Sequence, residues 1–230
     1  MIIGIIGAME SEVALLKTKL TGLKIEKAAG LDFHKGTLGG VDVVVVQSGI
    51  GKVNAAICTQ ALISLFDVNY IINTGVAGGL NPSLNIGDIV VSEDLVQHDM
   101  DVEHFNYPRG TVPGLNMGVF TADAELIKIA LKAGESITAA VLTGRIATGD
   151  CFVSDKVKKQ DITQTFNAAC VEMEGAAIAQ TCFVNDIPFI VIRAISDKAD
   201  ETATVSFEQF VVQAAQNSAV LVERMLTLIG

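Results

Sequence analysis

The sequence predicts an α/β fold in which a mixed, mostly parallel central sheet is flanked by helices, giving a three-layer sandwich. Short apolar runs such as residues 43–46 are rich in Val and Ile, as expected of strands buried on both faces of a sheet. Hydrophobic residues make up 50% of the chain and aromatic residues only 5%, so small aliphatic side chains must fill the core. A chain of 230 residues suits one large core, and we expect a single domain over residues 1–230.

Strands alternate with helices in the first part of the chain. Residues 1–7 form an apolar run that ends at glycine, and residues 10–20 carry apolar positions at helical spacing. Residues 41–47 predict a second buried strand, and residues 53–66 predict the helix that follows it. A third strand is expected at residues 70–73, with a glycine-rich segment after it.

The same alternation continues to the end of the chain. The predicted elements are a strand at 89–91, a helix capped within 121–125 and ending near 133, a strand at 139–148, a helix at 175–182, a strand at 188–192 and a last amphipathic helix at 207–228. Residues 97–118 show no such pattern. Irregular segments of this length are usually functional.

The charge balance excludes several classes of partner. The formal charge is −10, from 26 acidic and 16 basic residues, which opposes binding to nucleic acid or to anionic lipid. The apolar runs are shorter than the roughly 18 residues that a membrane-spanning helix needs. The sequence shows no secretion signal, and its four cysteines lack CxxC spacing, so we expect a cytoplasmic protein with free thiols.

Three segments superficially resemble cofactor or metal sites. Gly51 and Lys52 follow a strand as in a phosphate-binding loop, but Val53 stands where Ser or Thr would hold magnesium. The glycines after residue 73 do not match the dinucleotide pattern G-x-G-x-x-G. The acidic and histidine residues between His98 and His104 alternate with apolar ones, so they would not converge on one metal ion. We therefore expect no cofactor and no metal.

Two acidic residues fall where predicted strands end. Glu174 opens the helix at 175–182, and Asp197 closes the strand that begins at residue 188. Ligands of open α/β sheets bind at this edge, and carboxyl groups in apolar surroundings suit acid–base chemistry on a small polar molecule. Glu12 lies in the first turn of the first helix, where on spacing alone it reads more simply as a capping residue. Asp197 could likewise cap the following turn.

Five motifs together resemble one known family. They are GIIGAMESE (4–12), SGIGKVNAA (48–56), NTGVAGG (73–79), VEME (171–174) and SDKAD (196–200). Because these motifs occur in order over nearly the whole chain, the sequence resembles the 5'-methylthioadenosine/S-adenosylhomocysteine nucleosidases. The resemblance implies a nucleoside phosphorylase-like fold, a homodimer, and hydrolysis of adenine nucleosides in methionine salvage without a cofactor.

The resemblance also implies roles for acidic residues. Asp197 would protonate N7 of the leaving purine with Ser196 as its hydrogen-bond partner, and Glu174 would bind the ribose hydroxyls. Glu12 would activate the attacking water with Arg193 as helper. Other substrate contacts would come from Met173 and Glu172 near the ribose, from Phe152, Val153, Ala77 and Gly78 around adenine, from Met9, Ile50 and Phe207 at the alkylthio end, and from Val102, Phe105 and Pro113 of a neighbouring subunit.

Two rival functions share much of this pattern. A nucleoside phosphorylase would transfer the ribose to phosphate, for which arginine forks are favoured. The chain has only four arginines and none before Arg109. A non-catalytic nucleoside sensor would not need three separate carboxylates. Val76 departs from the family, whose members often carry a small polar residue there, so we expect no polar side-chain contact from this position.

Overall fold

A ten-stranded mixed sheet runs through the protein, seen in a computed structural model that describes residues 1–230. Its strands are β1 (Ile2–Gly7), β2 (Thr21–Ala28), β3 (Leu31–Leu38), β4 (Val41–Gln47), β5 (Tyr70–Gly79), β6 (Ile89–Gln97), β7 (Phe120–Thr121), β8 (Val141–Thr148), β9 (Cys170–Glu172) and β10 (Phe189–Asp197). Its helices are α1 (Glu10–Thr18), α2 (Lys52–Phe66), α3 (Ala124–Gly134), α4 (Lys156–Phe166), α5 (Gly175–Val184) and α6 (Ala203–Ile229), with a 3-10 turn at Glu103–Phe105.

The strands around β1 run parallel, whereas the β2–β3 hairpin and the pairs β10–β6 and β5–β9 are antiparallel. Strand β1 pairs in parallel with β4 and β5, and β5 pairs in parallel with β10. The hairpin of β2 and β3 continues the sheet beyond β4 in antiparallel register. Strand β10 also pairs with β6, so that β5, β10, β6, β8 and β9 form a closed ring of strands.

Helices cover both faces of this sheet, as the predicted three-layer architecture requires. One apolar cluster joins β1, β4, β5 and β10 to α1, α3 and α6. A second cluster packs α2 and α5 against the opposite face. A smaller cluster seats α4, through Ile162 and Phe166, near the ends of β8 and β9. The α/β class and the layer order predicted from the sequence are confirmed. No helix is both long enough and apolar enough to cross a bilayer.

Some elements differ from their predicted bounds. Strand β5 continues through Gly75, Gly78 and Gly79, which the sequence placed after the strand. Strands β6 and β10 are likewise longer than predicted. The β2–β3 hairpin, α4 and the short strands β7 and β9 were not among the predicted elements. Strand β2 is exposed along most of its length and therefore lacks apolar alternation. The segment 97–118 is irregular as expected, apart from its 3-10 turn and one isolated bridge.

Candidate active site

One cavity of about 320 Å³ lies where β1, β4, β5, β8, β9 and β10 end. Thirteen of the residues proposed from the sequence line it: Met9, Glu12, Ile50, Ala77, Gly78, Phe152, Val153, Glu172, Met173, Glu174, Ser196, Asp197 and Phe207. The sequence did not indicate four other wall residues, Ala8, Val76, Cys151 and Val171. These are small or apolar side chains, which carry no chemical signal of their own.

The Glu12 carboxylate is held by backbone donors. The N–H groups of Ala8 and Met9 donate to Oε2 at 2.7 and 2.9 Å, and the N–H of Val76 donates to Oε1 at 3.0 Å. Glu12 therefore caps α1, as its spacing suggested, and also faces the cavity. Burial raises the pKa of Glu12, and nearby Arg193 with the three N–H donors opposes that rise. The Val76 backbone, and not its side chain, makes the polar contact.

Arg193 is the only cation of the carboxylate cluster, and it is fully buried beneath the cavity wall. Its Nη2 donates to Asn73 at 2.6 Å, to Glu172, and more distantly to Glu174 at 3.4 Å. Its Nη1 lies 4.0 Å from Glu12 Oε1, and neither Nη1 nor Nε has a hydrogen-bond partner. Arg193 thus pairs first with Glu172, and its role as a helper of Glu12 stays a prediction.

Glu172 and Glu174 lie on either side of the turn from β9 into α5. The first N–H groups of that turn, from Glu174 and Gly175, donate to Glu172 Oε2 at 3.2 and 2.8 Å. Glu174 accepts a hydrogen bond from the N–H of Gly51 at 2.9 Å. Burial raises the pKa of Glu174 to about 7; Arg193 opposes the rise and Glu172 adds to it. This end of the cavity holds more carboxyl groups than cations.

Asp197 stands apart from that cluster. The Ser196 hydroxyl donates to its Oδ2 at 2.9 Å, and the N–H of Ala199 donates to its Oδ1 at 2.8 Å. Asp197 thus also caps the next turn, as its spacing allowed. It forms no ion pair, and burial raises its pKa despite those two hydrogen bonds. Such a carboxyl group can keep a proton in a range where an exposed aspartate is ionised.

A bulge in β10 brings two neighbouring side chains into the cavity. The register with β5 shifts between Ile195 and Asp197, so the usual alternation of faces is broken at Ser196. Both Ser196 and Asp197 consequently line the cavity. The sequence contains the two residues but no visible signal for the bulge.

Two glycines of β5 make room for these side chains. A β-carbon at position 75 would overlap Arg193 Nη1 and lie 2.5 Å from Glu12 Oε1. At position 78 it would lie 2.9 Å from Asp197 Oδ1. Positions 75 and 78 therefore require glycine, because the side chains of Arg193, Glu12 and Asp197 occupy the space that a β-carbon would fill.

The remaining wall is apolar. The rings of Phe152 and Phe207 meet edge to face with centroids 5.6 Å apart. Phe152 is 46% exposed, so it is not the core residue that its position beside a strand would otherwise suggest. Met9 and Ile50 lie on the same cavity. An aromatic face with a few polar groups is typical of sites for flat, partly apolar ligands.

The structure does not place Val102, Phe105 and Pro113 around the cavity of their own chain. Phe105 is 71% exposed and Pro113 is also exposed. Nearby, Asp99 pairs with Lys52 at 2.7 Å and His98 is buried against Gly149. No group of three or more His, Cys, Asp or Glu residues is arranged to hold a metal ion.

The arrangement can perform acid–base chemistry at two points of a bound molecule. Asp197 can donate a proton at one end of the cavity, while Glu12, Glu172 and Glu174 favour positive charge at the other. Both groups are within one cavity, so a single small ligand can contact both. This is the chemistry of a glycosidic bond, in which a leaving group is protonated while the sugar gains positive charge.

Comparison with known proteins defines the class. A model of the phosphorylase superfamily matches residues 2–227, so the chain belongs to this superfamily. A 5'-methylthioadenosine/S-adenosylhomocysteine nucleosidase of Geobacillus kaustophilus is 48% identical over 226 residues, covering 97% of this chain and 96% of the relative. This chain belongs to the 5'-methylthioadenosine/S-adenosylhomocysteine nucleosidase family, which is a family of N-glycosyl hydrolases.

Solved structures agree with this family. The nucleosidase of Neisseria meningitidis in complex with methylthio-immucillin-A superposes with a TM-score of 0.96 at 41% identity, over 99% of both chains. Futalosine hydrolase of Helicobacter pylori superposes with a TM-score of 0.93 at 36% identity, over 97% of this chain and 96% of that chain. Two proteins that are named for different substrates therefore share this fold and a similar sequence.

Proposed function

We propose that this chain hydrolyses the N-glycosidic bond of 5'-methylthioadenosine, S-adenosylhomocysteine and 5'-deoxyadenosine. The products are adenine and the 5-substituted ribose. The observation that carries the proposal is the convergence of Glu12, Glu174 and Asp197 on one cavity of about 320 Å³. This volume is at the lower end of the range for small-molecule sites, about 300–1,000 Å³.

Asp197 is the general acid of the proposed reaction. The leaving adenine carries negative charge unless N7 is protonated, and Asp197 is the buried carboxyl group with a raised pKa and no cationic partner. The Ser196 hydroxyl fixes its orientation at 2.9 Å. Phe152 then offers a stacking face for the purine, and the backbone at Val153, Ala77 and Gly78 surrounds its edge.

The sugar occupies the end of the cavity that contains the glutamates. Glu174 accepts hydrogen bonds from the ribose hydroxyls, and Met173 packs against the ring. Glu172 supports Glu174 indirectly because it binds Arg193 and the first N–H groups of α5. An excess of carboxylates over the single guanidinium favours the oxocarbenium-like transition state.

Glu12 activates water as the nucleophile. One lone pair of Oε1 remains beside the Val76 contact, and the unpartnered Nη1 of Arg193 lies 4.0 Å away. A water between these groups would be both polarised and oriented. The reaction then adds hydroxyl to the sugar carbon and transfers one proton to adenine.

The contacts of Glu12 favour hydrolysis over phosphorolysis. Backbone N–H groups at a helix N-terminus are a common phosphate-binding element. In this chain the N–H groups of Ala8 and Met9, which precede α1, are already bound to the Glu12 carboxylate. A phosphate dianion at that place would face a carboxylate. A phosphorylase therefore remains the alternative function, with less support.

The apolar wall suits the 5' substituent. Met9, Ile50 and Phe207 surround this end of the cavity without a charged group. A thioether or methyl group loses little on transfer to such a wall, whereas an unpaired hydroxyl group is penalised. Free adenosine should therefore be a poor substrate.

We also propose that the chain acts as a homodimer whose neighbour completes this wall. Ile50, just before α2, is 51% exposed, and Val53 and Ile57 of α2 are 68% and 49% exposed. Phe105 is 71% exposed. Val102, Phe105 and Pro113 would then reach the neighbour's cavity. Residues 1–230 would function as one domain around the single sheet, and the activity would serve methionine salvage and methyl-cycle recycling in the cytoplasm.

The decisive experiment follows adenine release in phosphate-free buffer. We expect turnover of 5'-methylthioadenosine without added phosphate. Dependence on phosphate would instead indicate a phosphorylase, and binding without release would indicate a non-catalytic sensor. Comparing kcat/KM for methylthioadenosine, S-adenosylhomocysteine, 5'-deoxyadenosine and a futalosine-type nucleoside then orders the substrates.

A further inference from the structure

Cys151 is the most accessible of the four thiols and forms part of the cavity wall. It follows the end of β8, lies next to Phe152 and is half-buried. Cys58, Cys170 and Cys182 are fully buried, and burial raises the pKa of all three thiols, that of Cys58 to about 12. A small molecule that enters the cavity can therefore reach one cysteine and not the others.

A buried histidine is aimed at this thiol. The ring of His98 is 2% exposed, and its Nε2 lies 4.0 Å from Cys151 Sγ, which is the only hydrogen-bonding contact of the ring. The backbone N–H of His98 donates to the Thr148 carbonyl at 2.9 Å, which fixes the position of the residue. Gly149 leaves room for the ring, because a β-carbon at 149 would overlap it. Burial lowers the pKa of His98, so the imidazole is neutral and one ring nitrogen has a free lone pair, while the nearby carboxylates Asp99 and Glu172 favour a proton on the ring.

We propose that Cys151 is a covalent modification site that forms mixed disulfides with small uncharged disulfides, with His98 accepting the thiol proton. The Cys151 sulfur attacks one sulfur of the reagent, forming a new S–S bond as the old one breaks. The second sulfur leaves with the electron pair and takes the proton from His98 as a free thiol. Thiols and disulfides balance on both sides of this exchange.

The surroundings determine which reagents fit. Glu172, Glu174 and Asp197 face the same cavity, so an anionic reagent is disfavoured and a small neutral one is not. The group attached to Cys151 would lie beside Phe152 and Val153 and would exclude a ligand from that wall. Modification should therefore inhibit reversibly. The labelling step does not depend on the proposed nucleosidase activity, but its inhibitory effect does.

Methyl methanethiolsulfonate is a suitable probe, because it is small and neutral and transfers a methylthio group as methanesulfinate leaves. Intact-protein mass spectrometry should show one methylthio group added, and peptide mapping should place it on Cys151. Adenine should slow the labelling, and dithiothreitol should restore adenine release. A first label on Cys58, Cys170 or Cys182 would overturn the proposal.

Two variants separate the parts of the proposal. In Cys151→Ser, treatment should leave adenine release unchanged relative to the same variant without reagent; equal inactivation there would contradict the site. In His98→Gln, labelling of Cys151 should slow at least about tenfold if the imidazole acts as the base. An unchanged labelling rate in a variant with wild-type thermal stability would reject the role of His98. Labelling in a chain that releases no adenine would refute the proposed function alone.

Discussion

The buried carboxyl groups at the two ends of the cavity have different ion-pair and hydrogen-bond partners. At the Glu12 end, three glutamates share one buried guanidinium, and Glu12 also accepts three backbone hydrogen bonds. At the Asp197 end there is one carboxyl group, one backbone donor and one hydroxyl donor, with no ion pair. Both Glu12 and Asp197 are 2% exposed, so burial alone does not distinguish them.

This difference indicates that a nearby cation, and not burial alone, determines the role of a buried carboxyl group. Burial raises the pKa at both ends, but only the Glu12 end carries a strong opposing contribution from Arg193. A carboxyl group without a cation keeps its proton and suits a general acid. A carboxyl group beside a cation and N–H donors loses its proton more readily than burial alone would allow, and because its pKa stays raised overall, the ionised group suits a base or a partner for positive charge.

The largest expected effect is that of Asp197→Asn, which removes the proposed proton donor and keeps the shape of the side chain. We expect adenine release to fall about 10²- to 10⁴-fold, because a general acid contributes that much. Ligand affinity, measured by calorimetry, should change little. Asp32→Asn removes the same charge at an exposed position of β3, outside the cavity wall, and serves as the matched control. Near-normal turnover of Asp197→Asn would remove the proton-donor role.

Glu12→Gln tests the opposite end and should lower adenine release roughly 100-fold through loss of the proposed base. It should also cost stability. An amide NH₂ would face the N–H of Val76 or those of Ala8 and Met9, leaving a buried donor unpaired at about 1–3 kcal/mol. Kinetics and chemical denaturation measure the two effects separately.

Glu10→Gln, an exposed change in the same helix, should show neither effect. If Glu12→Gln lost substrate affinity while the bound substrate still turned over normally, Glu12 would be a binding residue and the comparison of the two ends would fail.

The comparison also shows how far the sequence could lead. Strand ends could be read from apolar runs, and Glu174 and Asp197 were found because each follows such a run. The spacing of Glu12 gave only a helix cap, and its second role came from the family resemblance. The capping geometry is present and Glu12 also lines the cavity, so the cap and the proposed catalytic role are compatible in one residue.

Other features depend on contacts between distant segments. The pairing of Arg193 with Glu172, the bulge at Ser196 and the overlap that excludes a side chain at Gly75 all arise from tertiary packing. The β2–β3 hairpin was missed because an exposed edge pair needs no apolar pattern. Sequence patterns report burial well, but they do not report which buried groups meet.

Glu174→Gln tests the glutamate end of the cavity through the pH dependence of the free energy of unfolding. The pKa of Glu174 is about 7 in the folded chain and near 4.5 when unfolded, so its contribution to folding is greatest below pH 4.5 and is lost as the pH rises through 7. A neutral glutamine should avoid that loss. We expect the variant to be more stable than the wild type by about 2 kcal/mol at pH 8, with little difference near pH 5.

Thermal unfolding at several pH values measures this effect, and turnover should fall in the same variant. Glu10→Gln, at an exposed position, should show no gain at pH 8. A variant less stable than the wild type at pH 8 would mean that Arg193 holds Glu174 as an anion. The negative charge of the glutamates would then be fully balanced by Arg193 and the N–H donors.

The smallest expected effect concerns Lys52, whose ammonium group donates to Asp99 at 2.7 Å and to Gln97 at 3.1 Å. These contacts fix the turn that places the Gly51 N–H 2.9 Å from Glu174. Lys52→Met retains the apolar stem but removes the charge. A partly exposed ion pair contributes up to about 1 kcal/mol, so we expect kcat/KM to fall at most about fivefold.

A double-mutant cycle with Asp99→Asn isolates this contact. If Lys52 acts by holding the turn through Asp99, the double variant should lose no more activity than either single one. Additive losses would mean that the two residues act independently of each other. Lys19→Met, which breaks a surface ion pair with Glu223, should leave kcat/KM unchanged because that pair lies away from the cavity. An equal loss in Lys19→Met would show that Lys52 contributes only general stability and does not position Glu174.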